Sequence, residues 1–237
     1  MNNRTLWLLL FILLMTGGIS PGSRLASLLR SPTLAFCSLL SILIALVVHE
    51  FAHALAADHL GDPNPRLAGR LSLNPLKHLD PIGTLLIVLT GFGWGKPVQF
   101  DPYNLQDPAK DGAVIAAAGP LSNLLLAALA ALLLYFFPLQ LFPASISVFL
   151  VQFLYIFFGT NVNLAVFNLL PIYPLDGHHI LRAFLPESTR RSYDLFNHRF
   201  GILVAYLLIL PVFGSSSLVS RVTSPAIDLA YRILLGI

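Results

Sequence analysis

Charge is scarce in this chain: Asp, Glu, Lys and Arg make up only 11% of the 237 residues. Glutamate occurs just twice, as Glu50 and Glu187. So little charge excludes the solvated, ion-paired surface of an ordinary soluble domain. Cys37 is the single cysteine, which excludes an internal disulfide and a cysteine-built metal site; within its apolar run it reads as a small core residue. Basic residues interleaved with aromatics are absent, so no nucleic-acid partner is expected, and the net charge of +3 is better read through membrane topology. No internal repeat, soluble domain or low-complexity linker is visible.

What the chain does have is hydrocarbon. Apolar residues make up 56% of it and the mean hydropathy is +0.78, in the range of multi-spanning membrane proteins. Arg4 followed by Leu6–Met15 looks like the start of a signal peptide, but no small-residue cleavage site follows closely, so an uncleaved first helix is expected. Leu34–Ala57 is long enough to span, at roughly 36 Å as a helix against ~30 Å of hydrocarbon. It ends at the breaker cluster Gly61-Asp62-Pro63. Ala113–Phe137 and Ser145–Leu170 read as further spans. Gly201–Phe213 reads as a short fourth apolar stretch, and Leu218–Ile237 as an interfacial helix or a final span.

Between Asn64 and Asp111 prolines interrupt any long helix, and only Ile82–Thr90 stays apolar. It is too short to span and leads into the glycines of Gly91–Pro97, so a half-membrane segment beside a short strand edge is expected. Such an edge could pair with an extended peptide. The fold class is therefore an all-α multi-spanning membrane protein of about five to six transmembrane helices, with a short re-entrant or strand segment near residues 82–98. Residues 1–33 form an N-terminal membrane helix and loop, 34–185 a catalytic core, and 186–237 C-terminal membrane helices.

Positive charge gives an orientation. With the connection from Pro138 to Ala144 outside, ten of the 14 Lys and Arg residues are cytoplasmic and four external. That orientation sets the polar part of Leu34–Ala57 toward the cytoplasmic side of the cell membrane, with Glu50 about 10 Å below the surface.

That polar part is His49-Glu50-Phe51-Ala52-His53, an H-E-x-x-H pattern. Residues i and i+4 share a helix face, so His49 and His53 can bind one metal ion while Glu50 reaches a water beside it. A buried glutamate in an otherwise charge-free run is costly, and ionisable groups at this depth usually serve function. Catalytic zinc takes three protein ligands and keeps a fourth position open. Asp176 is the best third candidate: it follows the third span on the side of His53, and Gly177 permits a sharp backbone path. Asp58 and Asp62 lie too close along the chain to fold back. Asp101, Asp107 and Asp111 read as solvated loop residues. His59, His78, His178 and His179 read as interfacial or structural.

His49–His53, Gly93-Trp-Gly-Lys-Pro-Val98, Ala118-Gly-Pro-Leu-Ser-Asn123 and Asn168-Leu-Leu-Pro-Ile-Tyr-Pro-Leu-Asp-Gly177, in that order, resemble the site-2 protease family of intramembrane zinc metalloproteases, peptidase family M50. The resemblance covers residue 34 to about residue 185 and is closest to the small branch without PDZ or CBS domains. It implies one Zn2+ per chain held by His49, His53 and Asp176, with Glu50 as catalytic base, and a transmembrane protein as substrate. Asn168 is implied in binding the substrate backbone or stabilising the oxyanion, with a helix-to-helix hydrogen bond as the alternative; Asn123 is a weaker case of the same. Gly93 and Trp94 fall beside the expected substrate edge, although Trp94 also suits an interface anchor. A homo-oligomer is compatible with all of this. The competing class is a catalytically inactive metal-binding membrane protein or a metal transporter, against which retention of Glu50 argues.

Overall fold

The computed structural model describes residues 29–90, 95–138, 141–209 and 218–236. The expected first membrane helix, Gly93 and Trp94, and residues 210–217 lie outside the described residues. The described residues are helical, with no strand among them.

Three long helices carry the fold: α1 (Pro32–His59), then, after a run of short elements, α5 (Pro108–Phe136) and α6 (Ala144–Asn168). At 28, 29 and 25 residues, each is long and apolar enough to cross a membrane. Their starts are written locally. Ser31 accepts a hydrogen bond from the N–H of Leu34 ahead of Pro32, and Asp107 accepts from Ala109 and Lys110 ahead of Pro108. Those N–H groups, aided by the Lys110 ammonium, hold the Asp107 carboxyl below its ordinary range. At the other end of α1, Gly61 takes φ +107°, a conformation that stops the helix.

The three helices present small and polar faces to one another. On α1 the buried stripe runs Cys37, Ser41, Ala45, His49, His53, Ala57, a spacing of four that keeps each residue beside the next while the stripe winds slowly round the helix. On α5 it runs Gly112, Ala116, Gly119, Asn123, Ala127, Ala130 and Ala131. Small residues let the backbones approach closely, which is how helices associate where no water drives them together. Large apolar side chains such as Leu125 and Phe136 point outward, 71% and 79% exposed, as lipid-facing residues do. Away from the site, Ala127, Ala130 and Ala131 of α5 pack against Leu154, Phe157, Phe158 and Val162 of α6.

Between α1 and α5 lie α2 (Asn64–Leu67), α3 (Pro75–His78), α4 (Pro81–Thr90) and a 3-10 turn at Pro102–Asn104. The ten residues of α4 reach about 15 Å, half a bilayer, in keeping with the re-entrant reading. The strand alternative is not realised among the described residues: residues 95–100 belong to no strand. Lys96, Pro97 and Val98 are instead held by two side chains and one backbone bond, as described below. Asp62 anchors the other end of this region. Fully buried, it accepts from the N–H groups of Asn64 and Asp101 and from the Asn104 amide, at 3.1, 2.7 and 2.8 Å.

After α6 come the short α7 (Asp176–Phe184), α8 (Glu187–Ile209) and α9 (Leu218–Leu235). The apolar stretch expected to begin at Gly201 enters the second half of α8, which starts 14 residues earlier in a charged half. In their described residues α8 and α9 mix polar with apolar residues, and the candidate spans found there are the first three helices. On α9, Tyr231 packs edge-on against Phe158 at 4.8 Å.

Candidate metal centre

The three spans alternate in direction, so the end of α1, the start of α5 and the loop after α6 meet at one end of the bundle. There His49 Nε2 and His53 Nε2 stand 3.0 Å apart, and Asp176 adds Oδ2 at 3.2 Å from the first and Oδ1 at 3.4 Å from the second. These three residues are a group that could hold a metal ion, their ligand atoms within 4.8 Å of one another. Glu50 lies nine residues before the end of α1 at His59, about 14 Å along the axis.

Hydrogen-bond accounting shows that the group fits a cation. Asn123 spends its amide N–H groups on Ala45 O (3.1 Å) and Asn161 Oδ1 (2.8 Å), so its Oδ1, 2.6 Å from His49 Nδ1, must be the acceptor. His49 therefore carries its proton on Nδ1. His53 does too, since its Nδ1 faces the carbonyl of Ile115 at 2.7 Å, which can only accept. Both Nε2 lone pairs are left pointing at a carboxylate and at each other. Asp176 Oδ2 is buried without any hydrogen-bond donor. Four acceptors turned on one point need a cation among them. Tetrahedral zinc with ~2.05 Å bonds to nitrogen would separate its ligand atoms by about 3.3 Å, close to the 3.0 to 3.4 Å found.

Two glycines make this approach possible. A Cβ on Gly119 would collide with the His53 ring and lie 2.7 Å from His49 Cε1, so α5 can back against both imidazoles only without a side chain there. A Cβ on Gly177 would meet the backbone at the end of α6, 2.5 Å from Leu170 O. The turn that delivers Asp176 is braced by α8: the N–H of Tyr173 donates to Asn197 Oδ1 (2.9 Å), and Tyr193 Oη donates to Pro171 O (2.8 Å). Arg182 and Asp194 tie α7 to α8 at 2.9 Å. His178 stacks on Tyr193, and burial with His179 beside it pushes its imidazole down to about 4, so it stays neutral.

Glu50 stands beside the group but is not part of it. Its Oε2 accepts from the N–H of Val98 at 3.2 Å, and Oε1 lies under Gly95, 3.1 Å from where a Cβ would sit. Of the remaining sequence candidates, Asn123 joins the site through His49. Asn168 donates to Leu164 O in its own helix, and Gly93 and Trp94 lie outside the described residues. Sequence reasoning passed over Asn161, whose amide donates to Phe157 O and orients Asn123. It also passed over Arg70 and the part Gly119 plays beside both imidazoles. The small-residue run Ala116–Gly119 was the available signal for the last; nothing in the sequence distinguishes Arg70 from other loop arginines.

A helix-borne pair of histidines and a distal aspartate, beside a buried glutamate in a bundle of helices long and apolar enough to cross a membrane, fits the class of membrane zinc metalloproteases. Comparison with known proteins gives the family. Residues 37–212 match the model of peptidase family M50, and the chain belongs to that family, the site-2 protease family. It is 36% identical over 179 residues to the Bacillus subtilis (strain 168) protein named "Putative zinc metalloprotease YwhC", covering 74% of this chain and 81% of that one. It is 33% identical over 175 residues to "Putative zinc metalloprotease Rip2" of Mycolicibacterium smegmatis, covering 71% of this chain and 65% of the relative. No solved structure matches. The chain is thus a zinc metalloendopeptidase of the membrane.

Proposed function

We propose that this protein cleaves transmembrane segments of other membrane proteins within the bilayer, with His49, His53 and Asp176 holding the zinc and Glu50 as catalytic base. The observation that carries the reading is the convergence of three proton-free ligands beside a glutamate that is not one of them. Zinc bound there supplies a Lewis acid that polarises the scissile carbonyl and brings the pKa of water toward about 7. Glu50 takes the proton from the attacking water and returns it to the leaving amine. Its carboxylate is kept in register by the Val98 N–H on one side and by the absence of a side chain at Gly95 on the other. Asn123 serves His49, since both its N–H groups are already engaged. Asn168 is kept as the donor to the substrate oxyanion, through the N–H that Leu164 does not use.

A helical substrate hides its carbonyls in internal hydrogen bonds, so the segment being cut must unwind locally beside the stretch near Val98. Positive charges set the site toward the cytoplasmic face of the cell membrane in a multi-pass chain. A metal transporter would need the three ligands but no base, and Glu50 separates the two readings.

The test is a reconstituted cleavage assay on a model transmembrane substrate, with zinc measured alongside. Glu50→Gln should retain about one zinc per chain and lose activity; cleavage at the native rate with zinc bound would refute the mechanism. Cysteine-accessibility scanning, after replacement of Cys37, tests orientation: labelling of residue 140 from the cytoplasmic side alone would invert it.

A further inference from the structure

Arg70 is a buried guanidinium, only 7% exposed, in a region otherwise meant for the membrane surface. Its hydrogen bonds go to backbone carbonyls: Nη1 to Lys77 O (2.6 Å) and Lys96 O (2.9 Å), Nη2 to Pro97 O (3.1 Å). Burying a charged group this way is costly unless the geometry it fixes is needed. The bonds join two stretches that have no ladder between them, the end of α3 and residues 96–97. One backbone bond reinforces the link, from the N–H of Lys96 to His78 O at 2.7 Å. The stretch so clamped is the one that covers Glu50: Gly95 lies over Oε1, and the N–H of Val98, one residue beyond Pro97, donates to Oε2.

We infer that Arg70 is a positioning residue for catalysis, its forked guanidinium setting the Gly95–Val98 stretch that holds the Glu50 carboxylate. A lysine could keep the charge but not bond three carbonyls on two stretches from one planar group. Arg70 touches none of the metal ligands, so its loss should act on turnover and leave the metal in place. This rests on Glu50 as the base, and the two ideas fail separately. Cleavage by Glu50→Gln would sink the base, whereas an inert Glu50→Gln with an unimpaired Arg70→Lys would sink only the clamp.

The experiment purifies full-length wild type, Arg70→Lys, Arg70→Gln and Gly95→Ala, with Arg66→Ala as control, and measures zinc content, kcat and KM on a model transmembrane substrate. Arg66 pairs with Asp58 on the exposed side of the same region, and its variant should match wild type. Both Arg70 variants should hold about one zinc per chain and lose kcat by roughly 10- to 100-fold, as misplacement of a catalytic group by about an ångström does, with a smaller change in KM. A general structural defect would instead lower zinc content and activity together. Gly95→Ala keeps the Arg70 guanidinium but presses on Glu50 Oε1 at 3.1 Å and on His78 O at 3.2 Å, and should show the same loss of kcat with zinc retained. If an Arg70 variant keeps kcat within twofold, or loses activity only in step with zinc, the inference is overturned. If neither Arg70 variant can be purified folded, Gly95→Ala decides: unchanged kcat in zinc-loaded protein overturns it.

Discussion

Replacing Asn123 with alanine should weaken the metal site without touching a ligand. Asn123 is fully buried and makes three hydrogen bonds: it accepts from His49 Nδ1 at 2.6 Å and donates to Ala45 O at 3.1 Å and Asn161 Oδ1 at 2.8 Å. In alanine all three are gone, and a buried N–H on His49 and an acceptor on Asn161 are left without a partner. At about 1 to 3 kcal/mol for each unsatisfied buried group, the fold should lose on the order of 3 kcal/mol. The imidazole also loses the partner that fixes its tautomer and ring angle. Partners of this kind are worth about 10- to 100-fold in metal affinity, or about 1.4 to 2.7 kcal/mol. Asn161→Ala, one step further along the relay, should cost less. The assay is zinc competition against a chromophoric chelator in detergent, with a thermal melt on the same samples. A zinc affinity for Asn123→Ala within twofold of wild type would show that the His49–Asn123 bond does not orient the ligand.

Gly119→Ala should bind well under one zinc per chain by elemental analysis, because the new Cβ would collide with both imidazoles; full occupancy would mean that α5 can move aside. Asp176→Asn and His53→Ala each remove a ligand and should sharply lower zinc content, and a fully loaded Asp176→Asn would exclude that residue from the site. Chelation of the native protein should abolish cleavage and lower its melting temperature, both restored by added Zn2+, since a ligand bound only to the folded state stabilises it. Asp62→Ala removes the acceptor of three hydrogen bonds at a fully buried position. It should cost about 3 kcal/mol or more and expose residues 60–107 to limited proteolysis; unchanged melting and protease resistance would refute that anchor.

The sequence alone was enough for what is periodic or costly. A charge-free apolar run carrying two histidines four apart and a glutamate can only be a helix with one polar face, so His49, Glu50 and His53 were legible, as were the three spans, by length and composition. Asp176 was legible as the third member of the candidate metal group by elimination among few carboxylates and by the glycine after it. Where the sequence misled, local pattern and tertiary context disagreed. Glycines and β-favouring residues around Gly93–Val98 suggest a strand, but Lys96 and Pro97 are held by Arg70 and His78 rather than by a ladder.

What only the tertiary structure decided is which partners meet across the bundle. Asn123 is 74 residues from His49, Ile115 is 62 from His53, and Val98 is 48 from Glu50. An asparagine in an apolar helix reads the same in sequence whether it faces a helix, a substrate or a ligand. The difference lies in which of its donors are already spent, and that is set by the relative rotation of α1, α5 and α6. That rotation comes from the packing of small faces, to which residues far apart in the chain contribute together.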